Sequence, residues 1–151
     1  MKFRQLGKAG PRVSAIGLGR GSQAVKITAE EREFHETIRR AIDEGINFFD
    51  SSDLYWNTRH ETTLGRAVIG RRHKIMLATK FGNIDLPDGT KGTNGKPDYV
   101  YSSCEASLER LGTDYIDVYF MHRVDPNTPI EETVGAMSRL VEQGKVRYIG
   151  L

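Results

Sequence analysis

The chain has 151 residues, 38% of them hydrophobic and 28% charged, with a formal net charge of +2. That is the balance of an ordinary globular domain with one core, and it excludes a disordered or fibrous chain. No apolar run approaches the roughly 20 residues of a membrane helix, the first residues lack a signal-peptide core, and no broad basic face is present. A cytoplasmic protein without nucleic-acid or membrane partners is therefore expected.

In chain order, "KFRQLGKAGPRVS" reads as two short strands joined at Gly7 to Pro11, a small hairpin ahead of the first long strand. "RVSAIGLG" (12–19) is that strand. The next segment is a helix opened by "TAEE" (28–31), with Phe34, Ile38, Ala41 and Ile42 on one face and Gly45 at its end. A buried strand follows at "INFFD" (46–50), and "TRHE" (58–61) opens another helix with Thr as a candidate cap and Glu three residues later. The basic cluster Arg71, Arg72, His73 and Lys74 reads as a solvated turn before the strand "KIMLATK" (74–80). "FGNIDLPDGTKGTNGKPD" (81–98) has four glycines and little apolar content, which predicts a long mobile loop of the kind that often serves function. Pro97 and Asp98 start a helix with Val100, Cys104, Leu108 and Leu111 on its core face. Cys104 is the only cysteine, so neither a disulfide nor a thiolate metal site is expected. The strand "YIDVYFMH" (115–122), the box "TPIE" (128–131), a helix striped by Val134, Met137, Leu140 and Val141, and the strand "VRYIGL" (146–151) complete the chain. Strands alternating with helices imply βαβ units and a parallel sheet.

In such folds the C-terminal ends of the strands share one rim, where catalytic groups collect. Asp50 closes one strand, Tyr55 lies in its loop, Lys80 closes the next and His122 closes the one after. A carboxylate, a phenol, an ammonium and an imidazole on one rim suit proton donation to a carbonyl oxygen. A phenol titrates near 10 and is a weak acid at neutrality. An ammonium about 4 Å away favours the phenolate by roughly 4 kcal/mol at an effective dielectric near 20. Lys80 would then tune Tyr55, Asp50 would hold Lys80 charged and oriented, and His122, as a neutral donor, would position the substrate oxygen.

At this point the sequence resembles the aldo-keto reductases. "INFFDSSDLY" with "ETTLG", "LATKFG" and "YFMHR" is similar to the family's Asp, Tyr, Lys, His tetrad in order, and "SLERLGTDYIDVYFMH" and "EQGKVRYIGL" are further shared wording. The resemblance implies a (β/α)8 TIM barrel, a nicotinamide cofactor that is usually NADPH with NADH left open, and reduction of small-molecule aldehydes or ketones. It implies Asp50, Tyr55, Lys80 and His122 as catalytic residues, with Gly19 and Asp50 on the cofactor side. Many relatives have Gly after the catalytic Tyr and Asn before the following Glu; here Trp56 and His60 stand there, and Trp56 is a candidate wall of the substrate pocket. "HETTL" lacks the second His of a zinc motif, so no metal is expected.

A complete barrel takes about 250 residues. Residues 1–151 therefore read as the N-terminal part of one barrel domain, an incomplete barrel of about five parallel strands. The C-terminal cofactor-binding part would be absent, the chain alone inactive, and its open sheet edges prone to self-association. Barrel-facing Ile16, Phe48, Leu77 and Val118 would be partly uncovered. Three rivals are weaker: a Rossmann dehydrogenase, for which "GLGRG" is followed by Ser22 instead of the third glycine; a potassium-channel β-subunit-like regulator, which "DPNTPIEETVGAM" resembles but in which Asn usually replaces His122; and an inactive fragment.

Overall fold

The computed structural model describes residues 1–19 and 27–151, with side chains described for 1–19 and 31–151. The Ser22 of the rejected dinucleotide motif lies outside them. Strands β1 (Phe3–Gln5) and β2 (Arg12–Ser14) form the expected antiparallel hairpin. The main sheet has five strands, β3 (Leu18–Gly19), β4 (Phe48–Asp50), β5 (Met76–Phe81), β8 (Ile116–Met121) and β9 (Val146–Gly150), all parallel and in chain order. Helices α1 (Ile27–Asp43), α2 (Arg59–Ala67), α3 (Pro97–Leu111) and α4 (Ile130–Glu142) make the crossovers. Sequential parallel strands joined by helices are the build of a (β/α) barrel, and these five form part of one.

The core lies between the sheet and the helices. Phe49, Leu77, Phe81, Tyr119 and Met121 on the strands meet Phe34, Ile38, Leu64, Val100, Cys104, Leu108, Leu111, Met137 and Leu140. Strand alternation sends Phe48, Asp50, Lys80 and Phe120 to the opposite face, where each is half-buried. This corrects two expectations. Leu77 has the opposite parity from Phe48's partner Met76, so it packs against helices and is fully buried. Val118, in register with Ala78, is buried as well. α2 rests on the end of α3 through Gly65, where a Cβ would stand 2.3 Å from the Leu111 carbonyl oxygen.

Other differences have local causes. The run 12–19 is two strands: Ser14, the last residue of β2, turns its polar groups to Asn47, accepting its N–H and donating its own N–H to Asn47 Oδ1. Ile16, in the link, is 60% exposed. The segment 81–98 is not a loose loop but holds a second hairpin, β6 (Asn83–Asp85) with β7 (Lys91–Thr93). Its turn is "LPDGT", in which Asp88 Oδ1 accepts from the Thr90 N–H and hydroxyl and Gly89 takes φ 83°.

Thr28 follows the helix start at Ile27, and its side chain lies outside the described ones. Thr58 does precede α2 but makes no side-chain cap. Thr128 donates to Asp125 Oδ2 and leaves the cap position of α4 to Pro129. On α4 the buried stripe is Thr133, Ala136, Met137 and Leu140, with Val141 exposed. Thr133 is accepted inside because its hydroxyl donates to the Gly95 carbonyl. The basic turn is also less solvated than expected, since Arg72 is drawn into an ion pair with Asp117.

Candidate active site

Asp50 and Lys80 meet because β4 and β5 are neighbours and both side chains point to the open face at the strands' C-terminal ends. Lys80 Nζ donates to Asp50 Oδ1 and Oδ2 at 2.7 and 2.6 Å and to the Ser51 carbonyl at 2.7 Å. Its three protons therefore have acceptors in the strand end. It also lies 5.0 Å from the centre of the Tyr55 ring, so it faces the phenol as a charge.

Tyr55 is carried by a strained turn. Trp56, Asn57 and Thr58 all have left-handed backbones, with φ of 56°, 52° and 72°. Each such residue costs roughly 1–2 kcal/mol. Here the Asn57 N–H to the Leu54 carbonyl and the Arg59 N–H to the Trp56 carbonyl hold the turn. A glycine directly after Tyr55 would adopt this conformation without penalty. The Trp56 ring packs edge-on against Phe34, centroids 5.2 Å apart, and against His60 at 5.1 Å. That places it over the core between α1 and α2, and it is not among the residues that line the two rim cavities.

His122 follows β8 and donates its backbone N–H to the Phe81 carbonyl at 2.8 Å. Its ring is edge-on to Tyr55, centroids 6.0 Å apart, and its Nδ1 lies 3.3 Å from Ser52 Oγ. Burial, with Lys80 and Arg123 nearby, holds its imidazole below the usual histidine range, which favours the neutral ring. Two cavities open beside it. One of about 270 Å³ is lined by Phe48, Asp50, Lys80, Phe120, His122 and neighbours. The other, of about 890 Å³, lies between Tyr55, His122, Arg123 and the β6–β7 hairpin. The hairpin thus borders the site. Gly19 pairs with Asp50 across β3 and β4, and a Cβ there would come within 3.3 Å of the Asp50 carboxylate.

Behind the rim lies a buried polar layer that sequence reasoning missed. Glu61 is fully buried, accepting from Thr79 Oγ1 at 2.6 Å and from Arg110 Nε at 2.7 Å. His60 Nδ1 shares a 2.7 Å hydrogen bond with Ser51 Oγ. Asp53 is 6% exposed and accepts from Ser52 and Ser103 hydroxyls. Burial, with Glu61 adding to it and the Ser52 hydrogen bond and Arg110 opposing, pushes the Asp53 carboxyl up to about 6. The signal was "DSSD" itself: four polar residues at a strand end are more than a turn needs.

The aldo/keto reductase family model matches residues 15–151. The chain belongs to the aldo/keto reductase family. It is 43% identical over 150 residues to a probable aldo-keto reductase 1 of Glycine max, covering 97% of this chain and 43% of that protein. Among solved structures it is similar to the holo form of aldo-keto reductase AKR11C1 from Bacillus halodurans, with TM-score 0.85 and 36% identity over 99% of this chain and 49% of that one. It is similar as well to the thermostable aldo-keto reductase Tm1743 in complex with the inhibitor epalrestat, with TM-score 0.85 and 31% identity, covering 99% of this chain and 53% of that one. The chain thus spans about half the length of these relatives. Family membership and these structures support a partial TIM barrel.

Proposed function

We propose that residues 1–151 form the N-terminal, proton-transferring part of a carbonyl-reductase barrel, in which Tyr55 protonates the oxygen of an aldehyde or ketone. The observation that carries this reading is Lys80, held by Asp50 and Ser51 yet 5.0 Å from the Tyr55 ring. As Tyr55 gives up its proton, the ammonium stabilises the phenolate left behind. Asp50 lies closer to that ammonium than the phenol does, so it fixes the direction of Lys80 while partly offsetting its charge. His122, edge-on to the Tyr55 ring, lines both rim cavities and orients the substrate oxygen when a ring N–H faces it.

A nicotinamide cofactor, NADPH by preference, supplies the hydride when bound. Gly19 and Asp50 would hold its nicotinamide end, because the bare glycine keeps the Asp50 carboxylate uncovered at the sheet edge. Five parallel strands leave β3 and β9 as sheet edges among the described residues. We therefore expect the 151 residues alone to associate through those edges, to bind cofactor poorly and to turn over little. A cytoplasmic setting suits a buried, unpaired Cys104.

The test is fluorescence titration with NADPH and NADH, with assay on a reactive aldehyde, for the chain alone and after addition of a relative's C-terminal half. Activity should appear only on addition. Tyr55→Phe should then lower it by about 10²–10⁴-fold with cofactor binding retained. Near-parental turnover in Tyr55→Phe would remove Tyr55 as the acid. Micromolar binding with turnover by the monomeric 151-residue chain would overturn the requirement for a completed barrel.

A further inference from the structure

Ser52 stands between two titratable groups. Its Oγ donates to Asp53 Oδ1 at 3.0 Å and meets His122 Nδ1 at 3.3 Å. A hydroxyl has one proton to give. An ionised Asp53 can only accept, so Ser52 must spend its proton on Asp53 and can meet Nδ1 only as an acceptor. Nδ1 then carries the ring proton, and Nε2, the other ring nitrogen, is a bare acceptor. A protonated Asp53 reverses every bond: it donates to Ser52, Ser52 donates to Nδ1, and Nε2 becomes an N–H donor.

We propose that Ser52 and Asp53 form a proton relay behind His122 that fixes which imidazole nitrogen carries the proton, making Asp53 a positioning residue for the rim. The conversion balances. A proton from the cavity solvent bonds to Nε2, the Nδ1–H bond breaks and its proton passes to Ser52 Oγ, and the Ser52 proton passes to Asp53 Oδ1. One proton enters and the Asp53 charge is neutralised.

The surroundings allow this. His122 faces Lys80 and Arg123, which oppose a positive ring, and Asp50, which favours one; with burial the balance keeps it neutral. Asp53 faces Glu61, which favours its protonation, and Arg110, which opposes it. Tyr99 and Tyr119 stay protonated beside it, both pushed up chiefly by burial. Leu54 donates its N–H to Ser52 Oγ at 3.4 Å, which helps hold the hydroxyl in line. Resting on the carbonyl-reductase reading, the consequence is a specific one. Neutral His122 can donate to a substrate oxygen only when Asp53 is protonated, so that role strengthens as pH falls through the Asp53 transition near 6.

Long-range ¹H–¹⁵N spectra of the imidazoles in the 151-residue chain read the tautomer directly. The four histidines are separated by assigning His122 with His122→Gln. At pH 8 His122 should be in the Nδ1–H form, and an Nε2–H form should grow in as pH falls through about 6. In Ser52→Ala and in Asp53→Asn that step should vanish, leaving one neutral tautomer until the ring itself protonates. An Nε2–H ring at pH 8, a passage from Nδ1–H to the doubly protonated ring with no Nε2–H form, or a step unchanged in Ser52→Ala would each overturn the relay. The wild-type titration decides the matter even if a variant does not fold. These spectra contain no substrate or cofactor, so they stand whether or not the chain reduces carbonyls.

Discussion

The two ends of the parallel sheet carry similar charges arranged to opposite effect. At the N-terminal ends, Asp117 is fully buried, with Oδ2 accepting from the Leu77 N–H at 2.9 Å and paired with Arg72 at 2.7 Å, while Oδ1 accepts from Arg147 at 2.9 Å. The two guanidinium groups sandwich the Tyr115 ring at 4.0 and 3.9 Å. Both carboxylate oxygens there are taken up by protein donors, while Arg147 stays about half exposed and Arg72 borders a surface cleft of about 1060 Å³. At the C-terminal ends, Asp50 and Lys80 pair just as closely, but Tyr55 and His122 face cavities. Similar ion pairs thus tie the strands together at one end of the sheet and border two cavities at the other, the rim where barrels of this kind carry their sites.

The largest way to break the comparison is at the closed end. Asp117→Ala strands two guanidinium groups and the Leu77 N–H, and loss of one partner from such a buried pair costs about 3–5 kcal/mol. Arg147 is about half exposed and regains water, so the lower part of that range is expected. Urea unfolding should show the midpoint falling steeply or the cooperative transition disappearing. A change under about 1 kcal/mol would mean that the closed end is not what holds the strands.

What the sequence made legible divides along the same line. Strand ends could be read from apolar runs that stop at Asp50, Lys80 and His122, and neighbouring strand ends must meet, so the approach of Asp50 to Lys80 followed from topology. Partners chosen across the fold could not be read. Glu61 was assigned to a local cap, but Arg110 and Thr79, 49 and 18 residues away, take both of its oxygens. Asp117 drew no reading inside its apolar strand and Arg72 was read as part of a solvated turn, yet the fold brings the two together. Leu77 was misassigned because "KIMLATK" is apolar on both faces, so alternation alone does not say which residues face the helices.

Asp53 gives the intermediate effect, with a sign set by pH. Its carboxyl lies at about 6 in the folded protein against 3.8 for the ordinary group, so folding favours the protonated form. Below about pH 4 the side chain is protonated whether the chain is folded or not, and it carries no penalty. Between 4 and 6 the unfolded chain releases the proton first, and stability falls as pH rises. Above 6 the penalty is complete, about 2–3 kcal/mol for a shift of this size. Asp53→Asn should therefore stabilise the protein by up to that amount at pH 8 and by almost nothing at pH 4, as read from urea midpoints. An equal effect at both pH values would mean that packing, not charge, governs the site.

The smallest effect on stability is expected where the largest effect on chemistry lies. Lys80 and Asp50 form a short pair, but the Asp50 side chain is 35% exposed and both groups border a cavity, so solvent screens much of their attraction. Lys80→Met keeps the length of the side chain and its apolar stem. It should shift the urea midpoint by the equivalent of about 1 kcal/mol or less, although Asp50 loses its partner, because a partly exposed carboxylate can rehydrate. Turnover in the completed barrel should nevertheless fall severely, since nothing else among the described residues near the Tyr55 ring replaces the ammonium held by Asp50 and Ser51. Measuring both quantities in one variant separates the two ends of the sheet. If Lys80→Met destabilised the fold as much as Asp117→Ala, the rim pair would be a structural bond like the one at the closed end, and its claim to tune Tyr55 would have to rest on other observations.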